Sequence, residues 1–473
     1  MKTQFKRMLL LALSLIMAIS VTGCKKSRTE YSSYYEDDLA GYASKDTSGG
    51  QESKGETKVT VSGESSGGAS SGSSGWKAML ASMPDGLRGT TITIGNWNDI
   101  SDVPGLKGVL AEFTKETGIK VNWHKFALST YGSELAAMVS ANKAPDVVRM
   151  KYFDPAVMVS LQPLSKTGYD FSSAEWDQSV LKWYSVNGKQ YAVNLKDTLL
   201  QQPSCMLYNT KLISKYDLQD PYTMWKKGEW TWSNFIKLCE DFLKVCPDGS
   251  YPYSQYHAYD YAAITGMAAV DWNGKQFVSH MGEKKFLQAC LVDADMKEKG
   301  ITTGIWFDRN GFEQGKVLFF CESLIGARTT HYYFKDMKNT NSLEAVPYPT
   351  VEGQENYQLY GEYEAYAVPK NAKNVKAVPY FLYYYLDAAN YNEKTFFASP
   401  HMLEVHKAMR ANTKIYSDAV SAVFTEDTGV ESGKFVSKIH NTPAAQMKTV
   451  LDEYSSVANN AVAASNKIME KVN

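Results

Sequence analysis

The sequence predicts an α/β fold that is divided into two lobes. In the first part of the folded region, strands alternate with helices, which is the pattern of a mostly parallel sheet covered by helices on both faces. About 390 residues follow position 85, and this length exceeds what a single hydrophobic core usually holds. Two extended runs, Tyr191–Asn194 and Ser204–Tyr208, stand where the chain could cross between the lobes.

The chain begins with the pattern of an export signal. A short basic segment precedes an apolar run, Met8 to Ile19, that is too short to span a bilayer as a helix. The run ends in Val21-Thr22-Gly23-Cys24, which resembles a bacterial lipobox; a secretory signal with a chance cysteine is the alternative. We therefore expect residues 1–23 to be a lipoprotein signal peptide and a lipid on Cys24 to anchor the protein to the cell membrane on its extracytoplasmic side.

Residues 24–85 are predicted to form a flexible tether that starts at the lipidated cysteine. Ser and Gly dominate the stretch from Ser48 to Gly75, and such a composition cannot bury a core. A tether of this length has an r.m.s. reach on the order of 40 Å. The folded part, from residue 86, would then stand off the membrane while staying close to it.

Charge and cysteine content exclude several classes of function. The chain has 50 Lys and Arg residues against 51 Asp and Glu residues, so no basic excess argues for binding to nucleic acid. The cysteines beyond Cys24 are odd in number and lack the spacing of a metal site, so we expect them to be small core residues. They are Cys205, Cys239, Cys246, Cys290 and Cys321. No cofactor is expected, and the protein is expected to be a monomer.

Hydrophobic periodicity places the secondary structure in chain order. In the first lobe, strands are predicted at Thr91–Ile94, Ile119–Trp123 and Pro145–Met150, and helices at Leu106–Glu116, Tyr131–Ala141 and Asp154–Ser160. Further along, helices are predicted at Tyr259–Val270, Lys284–Lys297, Phe307–Gln314 and Val375–Leu386. Extended runs are predicted at Val317–Phe320, Glu344–Pro347 and Tyr363–Val368.

A tryptophan-rich segment, Asp220 to Phe235, follows the crossing runs. Thr231 is placed to cap a helix, and Trp230 and Phe235 stand at the two positions of a hydrophobic staple. We interpret the segment as the start of a helix. Ligand stacking by Trp230 and Trp232 is the alternative.

Several segments in one order carry a resemblance to a known family. They are Phe113–Val121, Ala144–Val148, Leu207–Leu212, Asp220–Phe235, Phe312–Val317 and Ala365–Asn374. Together they cover most of the chain after about residue 88 and resemble the family 1 extracellular solute-binding proteins of ABC importers, the sugar-binding group.

The resemblance implies a two-lobe, periplasmic-binding-protein-like fold with crossing hinge strands and a ligand cleft between the lobes. Residues 86–203 and 366–395 would form the first lobe, and residues 204–365 and 396–473 the second. The implied function is a lipid-anchored receptor, not an enzyme, that closes on a carbohydrate, in this case an oligosaccharide, and delivers it to ABC permease subunits.

Candidate ligand-binding residues of the first lobe follow from the rule that ligands sit beyond the carboxyl ends of strands in open α/β sheets. An indole face and nearby amide and carboxylate groups suit a sugar. The candidates are Trp97, Asn98 and Asp99 after the first strand, Tyr131 after the second, Tyr152 after the third, and Asn194 and Asp197 beside the hinge. Helix capping, packing and hinge bonding are the alternative roles.

The second lobe offers its own candidates. Tyr256 and Tyr259 belong to a tyrosine-rich segment and could stack on a sugar, although packing would explain them as well. Glu322 and Ser323 follow a buried strand, and Tyr363 adjoins the second hinge, where the family more often has small residues.

Two other functions stay open at this point. Asp99 and Glu322 could serve as the acid and base of a secreted glycan hydrolase, but the chain has no HExxH, GxSxG or Walker motif. A ligand-sensing module for a membrane sensor kinase would share the fold and the ligand.

Overall fold

The structure, a computed structural model, describes residues 73–98, 103–150, 153–200, 204–254, 263–303, 307–351, 359–360, 364–411, 415–416, 419–425 and 431–472. The predicted signal peptide, Cys24 and most of the predicted tether lie outside these ranges. So do five predicted ligand-binding residues: Asp99, Tyr152, Tyr256, Tyr259 and Tyr363. Within the described ranges, no helix combines the length and apolar character that a membrane crossing needs.

The described elements alternate between strands and helices over most of the chain. The strands are β1 (Thr91–Asn96), β2 (Lys120–Lys125), β3 (Val147–Arg149), β4 (Leu161–Gln162), β5 (Ser185–Val186), β6 (Lys189–Gln190), β7 (Ala192–Val193), β8 (Ser204–Asn209), β9 (Tyr251–Ser254), β10 (Val270–Trp272), β11 (Phe277–Ser279), β12 (Val317–Ser323), β13 (Leu343–Val346), β14 (Leu359–Tyr360), β15 (Tyr366–Pro369) and β16 (Ile415–Tyr416). The helices are α1 (Ser74–Ser82), α2 (Leu106–Thr117), α3 (Tyr131–Ser140), α4 (Pro155–Met158), α5 (Gln178–Trp183), α6 (Thr210–Lys215), α7 (Pro221–Lys226), α8 (Trp232–Leu243), α9 (Lys284–Glu298), α10 (Arg309–Glu313), α11 (Lys335–Asn339), α12 (Val378–Leu386), α13 (Glu393–Phe396), α14 (Pro400–Ala411), α15 (Val420–Val423), α16 (Ser432–His440) and α17 (Ala444–Met469).

The first sheet has the strand order β2-β1-β3-β15-β4, and β7 also pairs with β15. Strand β1 is parallel to β2 and β3, whereas β15 is antiparallel to β3, β4 and β7. Parallel neighbours need a crossover connection, and helices α2 and α3 lie in the connections between β1, β2 and β3. The carboxyl ends of β1 and β3 therefore meet at one edge of this sheet.

The second sheet has the strand order β13-β8-β12-β9. Strand β12 is parallel to β9 and antiparallel to β8, so β12 and β9 end at the edge where β8 begins. The chain passes from the first sheet to the second between β7 and β8 and returns between β13 and β15. The predicted two-lobe α/β architecture is confirmed, while the residue boundaries proposed for the lobes stay a prediction.

The predicted helix Tyr259–Val270 is wrong at its carboxyl end. Val270 begins β10, which pairs with β11 in an antiparallel hairpin. The side chain of Asn273 accepts the backbone N–H groups of the two residues after Gly274 at 3.0 and 2.9 Å, and Gly274 has a φ of 89°. Gly274 stands at the first central position of this turn, where glycine favours a tight two-residue hairpin, and the turn outweighs the helical spacing of the apolar residues.

The predicted tether is too long at its carboxyl end. Helix α1, within residues assigned to the tether, places Trp76 in the core with 1% of its surface exposed. The indole ring packs edge-on against Tyr384 at 4.7 Å, and its Nε1 atom donates to Glu116 at 2.6 Å. The Ser and Gly residues around Trp76 and Met79 gave this segment the composition of a linker, although these two apolar residues are spaced to lie on one face of a helix.

The tryptophan-rich segment begins helix α8 as predicted. The hydroxyl of Thr231 accepts the backbone N–H of Asn234 at 3.3 Å, and the rings of Trp230 and Phe235 lie 5.7 Å apart in the staple arrangement. Trp230 and Trp232 are 2% and 6% exposed. Both are core residues, so the stacking alternative is wrong for them.

Candidate ligand-binding cleft

A cavity with about 330 Å³ of empty space, part of it open to solvent, lies between the two sheets. It is lined by residues at the carboxyl ends of β1 and β3, in the segment that returns to the first sheet, and in the loop after β12, together with their neighbours. They are Asn96, Asn98, Val103, Trp123, Arg149, Leu200, Arg328, Glu364, Tyr366 and Tyr385. Arg328 is the contribution of the second lobe, so the cavity touches both lobes and is a candidate place for a ligand.

The loop after β1 is shaped by Asn96. The side-chain oxygen of Asn96 accepts the backbone N–H groups of Trp97 and Asn98 at 2.8 and 3.2 Å. The preceding residue, Gly95, touches its surroundings so closely that an added Cβ would lie 2.4 Å from the ring of Phe126. This packing fixes where the strand ends and thus where Trp97 and Asn98 are presented.

Trp97 is held between two side chains of the first lobe. The Cζ atom of Arg149 lies 4.9 Å from the centroid of the Trp97 ring, a cation–π arrangement. On another side, the rings of Trp97 and Tyr131 meet edge to face at 5.6 Å. Since Trp97 is only half-buried, part of its surface stays available to a ligand.

The structure places Tyr131 beneath this site rather than on its surface. Tyr131 is 2% exposed, and its hydroxyl donates to the carbonyl of Arg149 at 2.8 Å. Burial, assisted by the nearby carboxylate of Asp154, raises the pKa of the phenol well above its usual value. Tyr131 therefore supports Trp97 and Arg149 and offers no free hydroxyl to the cleft.

Asn194 joins the two crossings of the chain. Its side-chain nitrogen donates to the carbonyl of Glu364 at 2.9 Å, and its side-chain oxygen accepts the N–H of Leu195 at 2.8 Å. With 1% exposure and both amide groups engaged, Asn194 has the hinge role that was the alternative to ligand binding. Asp197 lies on an exposed turn with a φ of 58° and does not line the cavity.

Arg149 and Glu364 form an ion pair at the wall of the cavity, with side chains 14% and 18% exposed. The buried Nε atom of Arg149 has no hydrogen-bond acceptor, and neither does the buried Nε1 atom of Trp123. Two donors on cavity-lining residues thus lack a partner, and a buried donor without an acceptor is costly. Both atoms are buried, so a ligand reaches them only after the surrounding side chains move.

Glu322 and Ser323 end β12 on the second-lobe side. The carboxylate of Glu322 accepts the backbone N–H of Ser323 at 2.7 Å and its hydroxyl at 3.1 Å. Burial raises the pKa of Glu322 to about 7, although these two hydrogen bonds and the charge of Arg309 act in the opposite direction. Both residues are half-buried and do not line the 330 Å³ cavity.

An aromatic group near this end of β12 was not predicted. Tyr332 is 40% exposed and stacks on His331 at 4.7 Å, and the guanidinium of Arg309 lies 4.1 Å from the centroid of the Tyr333 ring. The sequence feature that could have predicted this group is the His-Tyr-Tyr-Phe run at 331–334. The rule that ligand residues directly follow the carboxyl ends of strands does not select it.

Arg149, Arg328 and Glu364 were also missed by sequence reasoning. The signal for Arg149 was a cation at the end of an apolar strand, since Val147 and Val148 precede it. Arg328 and Glu364 reach the cavity only through long-range packing of the two lobes, and no local pattern marks them.

Comparisons with known proteins agree with the two-lobe fold. The family described as "Bacterial extracellular solute-binding protein" matches residues 108–398. The extracellular solute-binding protein of Staphylococcus aureus in complex with maltose has a TM-score of 0.57 at 15% identity, covering 79% of this chain and 98% of that chain. The lacto-N-biose complex of the galacto-N-biose-/lacto-N-biose I-binding protein of the ABC transporter from Bifidobacterium longum has a TM-score of 0.58 at 16% identity, covering 80% and 98%.

The GacH receptor of Streptomyces glaucescens, described with acarbose, has a TM-score of 0.53 at 17% identity, covering 80% of this chain and 98% of that chain. At these identities the similarity shows the two-lobe fold. No curated protein matches the sequence.

Proposed function

The chain belongs to the bacterial extracellular solute-binding protein family, and from this premise we propose that it is a carbohydrate receptor that delivers its ligand to an ABC permease. The ligand we propose is an oligosaccharide. The observation that carries the proposal is the interlobe cavity, whose lining combines an indole and two amides of the first lobe with the guanidinium groups of Arg149 and Arg328, one from each lobe. These groups suit a polyhydroxylated ligand, because sugars present apolar ring faces together with many acceptors.

The similar structures support the same class of ligand. Three of them are described in complex with maltose, lacto-N-biose and acarbose. The membership of the chain in an extracellular family supports a location outside the cytoplasm. We further propose that lipid on Cys24 holds the receptor at the membrane.

Lobe closure is the mechanism we propose. Residues of the first lobe, such as Trp97 and Asn98, would hold one face of the sugar while residues of the second lobe hold the other. A ligand that contacts both lobes binds the closed state more tightly than the open state and so shifts the population toward closure. The permease would recognise the closed form.

The contact residues we propose include those that lie outside the described ranges. Asp99 and Tyr152 follow the ends of β1 and β3, and Tyr256, Tyr259 and Tyr363 complete the set. Glu322 and Ser323 stay candidates at the rim of the second lobe. Asp197 could approach a long ligand from its exposed turn.

Isothermal titration of the mature protein against mono- and oligosaccharides tests the proposal. We expect binding of at least one oligosaccharide and a loss of roughly two- to tenfold in affinity for Trp97→Ala, since an aromatic contact contributes about 0.5–1.5 kcal/mol beyond the area it buries. The matched control is Trp225→Ala on α7, a half-buried tryptophan distant from the cavity lining. Binding of a peptide or metal with no heat from any sugar would overturn the sugar assignment, and release of shortened sugars over time would indicate an enzyme.

A further inference from the structure

Residues 324–334, which we call the rim loop, connect β12 to the helix α11. The rim loop brings Arg328 into the interlobe cavity and leaves Tyr332 at the surface, 40% exposed. It therefore supplies the second lobe's contribution to the cavity wall and an aromatic face that is exposed at the surface. Its conformation decides whether these two side chains are correctly placed.

The rim loop is organised around the ammonium group of Lys338, which lies on α11. The Nζ atom of Lys338 donates to three carbonyl oxygens of the loop, those of Gly326 at 3.2 Å, Arg328 at 2.8 Å and His331 at 2.5 Å. An ammonium group has three donors, so these carbonyls use all of them. Hydrogen bonds from a charged donor are about twice as strong as neutral ones.

Tight packing restricts the loop further. A Cβ added to Gly326 would lie 2.7 Å from the ring of Phe334, so the backbone passes directly against that ring. Phe334 itself has a φ of 55°, an unfavourable conformation for a residue with a large side chain. Its backbone N–H donates to Glu313 at 2.9 Å, which helps to hold this conformation.

Lys338 stays charged at neutral pH even though it is half-buried. Burial lowers the pKa of its ammonium group to about 8, and the carboxylate of Glu313 acts in the opposite direction. The charge is retained where it is paired with carbonyl dipoles instead of water. The ammonium group holds several loop carbonyl oxygens around one positive charge, as a bound metal cation does in other loops.

We propose that Lys338 is a positioning residue for ligand binding: its ammonium group fixes the rim loop and thereby places Arg328 and Tyr332 for the ligand. This inference rests on the proposed carbohydrate-receptor function. Lys338 touches no ligand itself. Its effect on affinity comes from pre-organising the loop, so that the ligand does not bear the entropic cost of ordering it.

The test uses the mature protein and the saccharide that binds the wild type most tightly. Lys338→Met keeps the length of the side chain but removes its charge and its donors. We expect its dissociation constant to rise by at least tenfold, as the loss of charge-assisted hydrogen bonds implies. Lys335→Met, an exposed lysine on the same helix, is the matched control and should stay within about twofold of the wild type.

Chemical rescue distinguishes positioning from a general loss of stability. Lys338→Ala removes the ammonium group and keeps the three carbonyl groups that accepted its hydrogen bonds. Added methylammonium should therefore restore part of the ligand affinity. Tetramethylammonium at the same ionic strength has no N–H donors and should not restore it. A Lys338→Met protein that is folded and binds within twofold of the wild type would overturn the proposal. If no Lys338 variant folds, hydrogen exchange of the wild type decides. A pre-organised rim loop is protected already in the free protein, so a loop that exchanges rapidly without ligand and becomes protected only on ligand binding contradicts the inference.

Failure of the two proposals is distinguishable. If the wild type binds no saccharide, the carbohydrate-receptor function is wrong and this inference falls with it. If the wild type binds and the Lys338 variants bind equally well, only the role of Lys338 is wrong.

Discussion

The guanidinium of Arg149 lies over the indole ring of Trp97, with 4.9 Å between its Cζ atom and the ring centroid. The same guanidinium pairs with Glu364, which the chain reaches only on its return to the first sheet. One side chain therefore links the candidate stacking ring to the hinge. A change at Arg149 should affect stability and ligand binding together.

We expect Arg149→Met to lower the free energy of unfolding by about 3 kcal/mol, because it leaves a largely buried carboxylate without its partner. Adding Glu364→Gln should recover part of this loss. Urea unfolding of the wild type, both single variants and the double variant measures the coupling between the two residues. Strictly additive effects would show that the ion pair contributes nothing.

Ligand affinity provides a second measurement on the same variants. Without Arg149 the ring of Trp97 loses the contact that orients it, so affinity should fall in Arg149→Met even at temperatures where the protein is fully folded. The double variant should not regain this affinity, because Glu364→Gln repairs the charge balance and leaves Trp97 unsupported.

Helix α1 should be part of the folded unit. We expect Trp76→Ala to cost about 3–5 kcal/mol, the usual range for removal of a buried tryptophan, and to expose the segment around Lys77 to trypsin. Thermal unfolding and limited proteolysis measure the two effects. The neighbouring control, Lys77→Ala, removes an exposed side chain and should leave the melting temperature unchanged.

Trp230 should matter for stability more than for affinity. It is 2% exposed, packs against Phe235 and Phe319, and donates through Nε1 to the carbonyl of Pro347 at 2.9 Å. Trp230→Ala should therefore cost about 3–5 kcal/mol and change the affinity of the remaining folded protein by less than about twofold. Unchanged stability with abolished binding would show that Trp230 is a ligand residue after all.

The fold could be predicted further than the site. Short apolar runs predicted β1 and β12, and apolar residues at helical spacing predicted α2, each to within a few residues. Burial of one or both faces of an element sets the spacing of its apolar residues. Helix α1 was not predicted, because a few apolar residues in a Ser- and Gly-rich stretch are typical of a linker. The packing of Trp76 against Tyr384 shows that the segment is folded. Packing partners distant in sequence are invisible to a local pattern.

The site was predictable only where it follows from the end of a strand. That rule selected Asn98, which lines the cavity, and Trp97, which does not line it but contacts the lining residue Arg149. It passed over Arg149, which is the last residue of its strand rather than the first of the loop. It could not select Arg328, because the position of that residue depends on how the two lobes meet.

The last prediction concerns the carboxyl group of Glu322. Burial raises its pKa to about 7 in the folded protein, against a usual value of 4.5. Between these two values the folded protein binds more protons at this site than the unfolded chain does, so the free energy of unfolding falls as pH rises. The stabilising contribution of the protonated form is thus complete below about pH 4.5 and is lost as pH rises through about 7.

The difference between the wild type and Glu322→Gln isolates this effect. Other groups titrate in the same interval: burial lowers the pKa values of His331 and His406 to about 3, which makes stability rise with pH and could mask the trend. Their contributions cancel in the difference as long as the variant keeps its structure. Urea unfolding at several pH values between 4.5 and 8 should show the wild type losing stability relative to Glu322→Gln, whereas Glu229→Gln, at an exposed carboxylate, should show no such trend. A pH-independent difference between the wild type and Glu322→Gln would mean that Glu322 ionises normally and that its carboxylate is in contact with water.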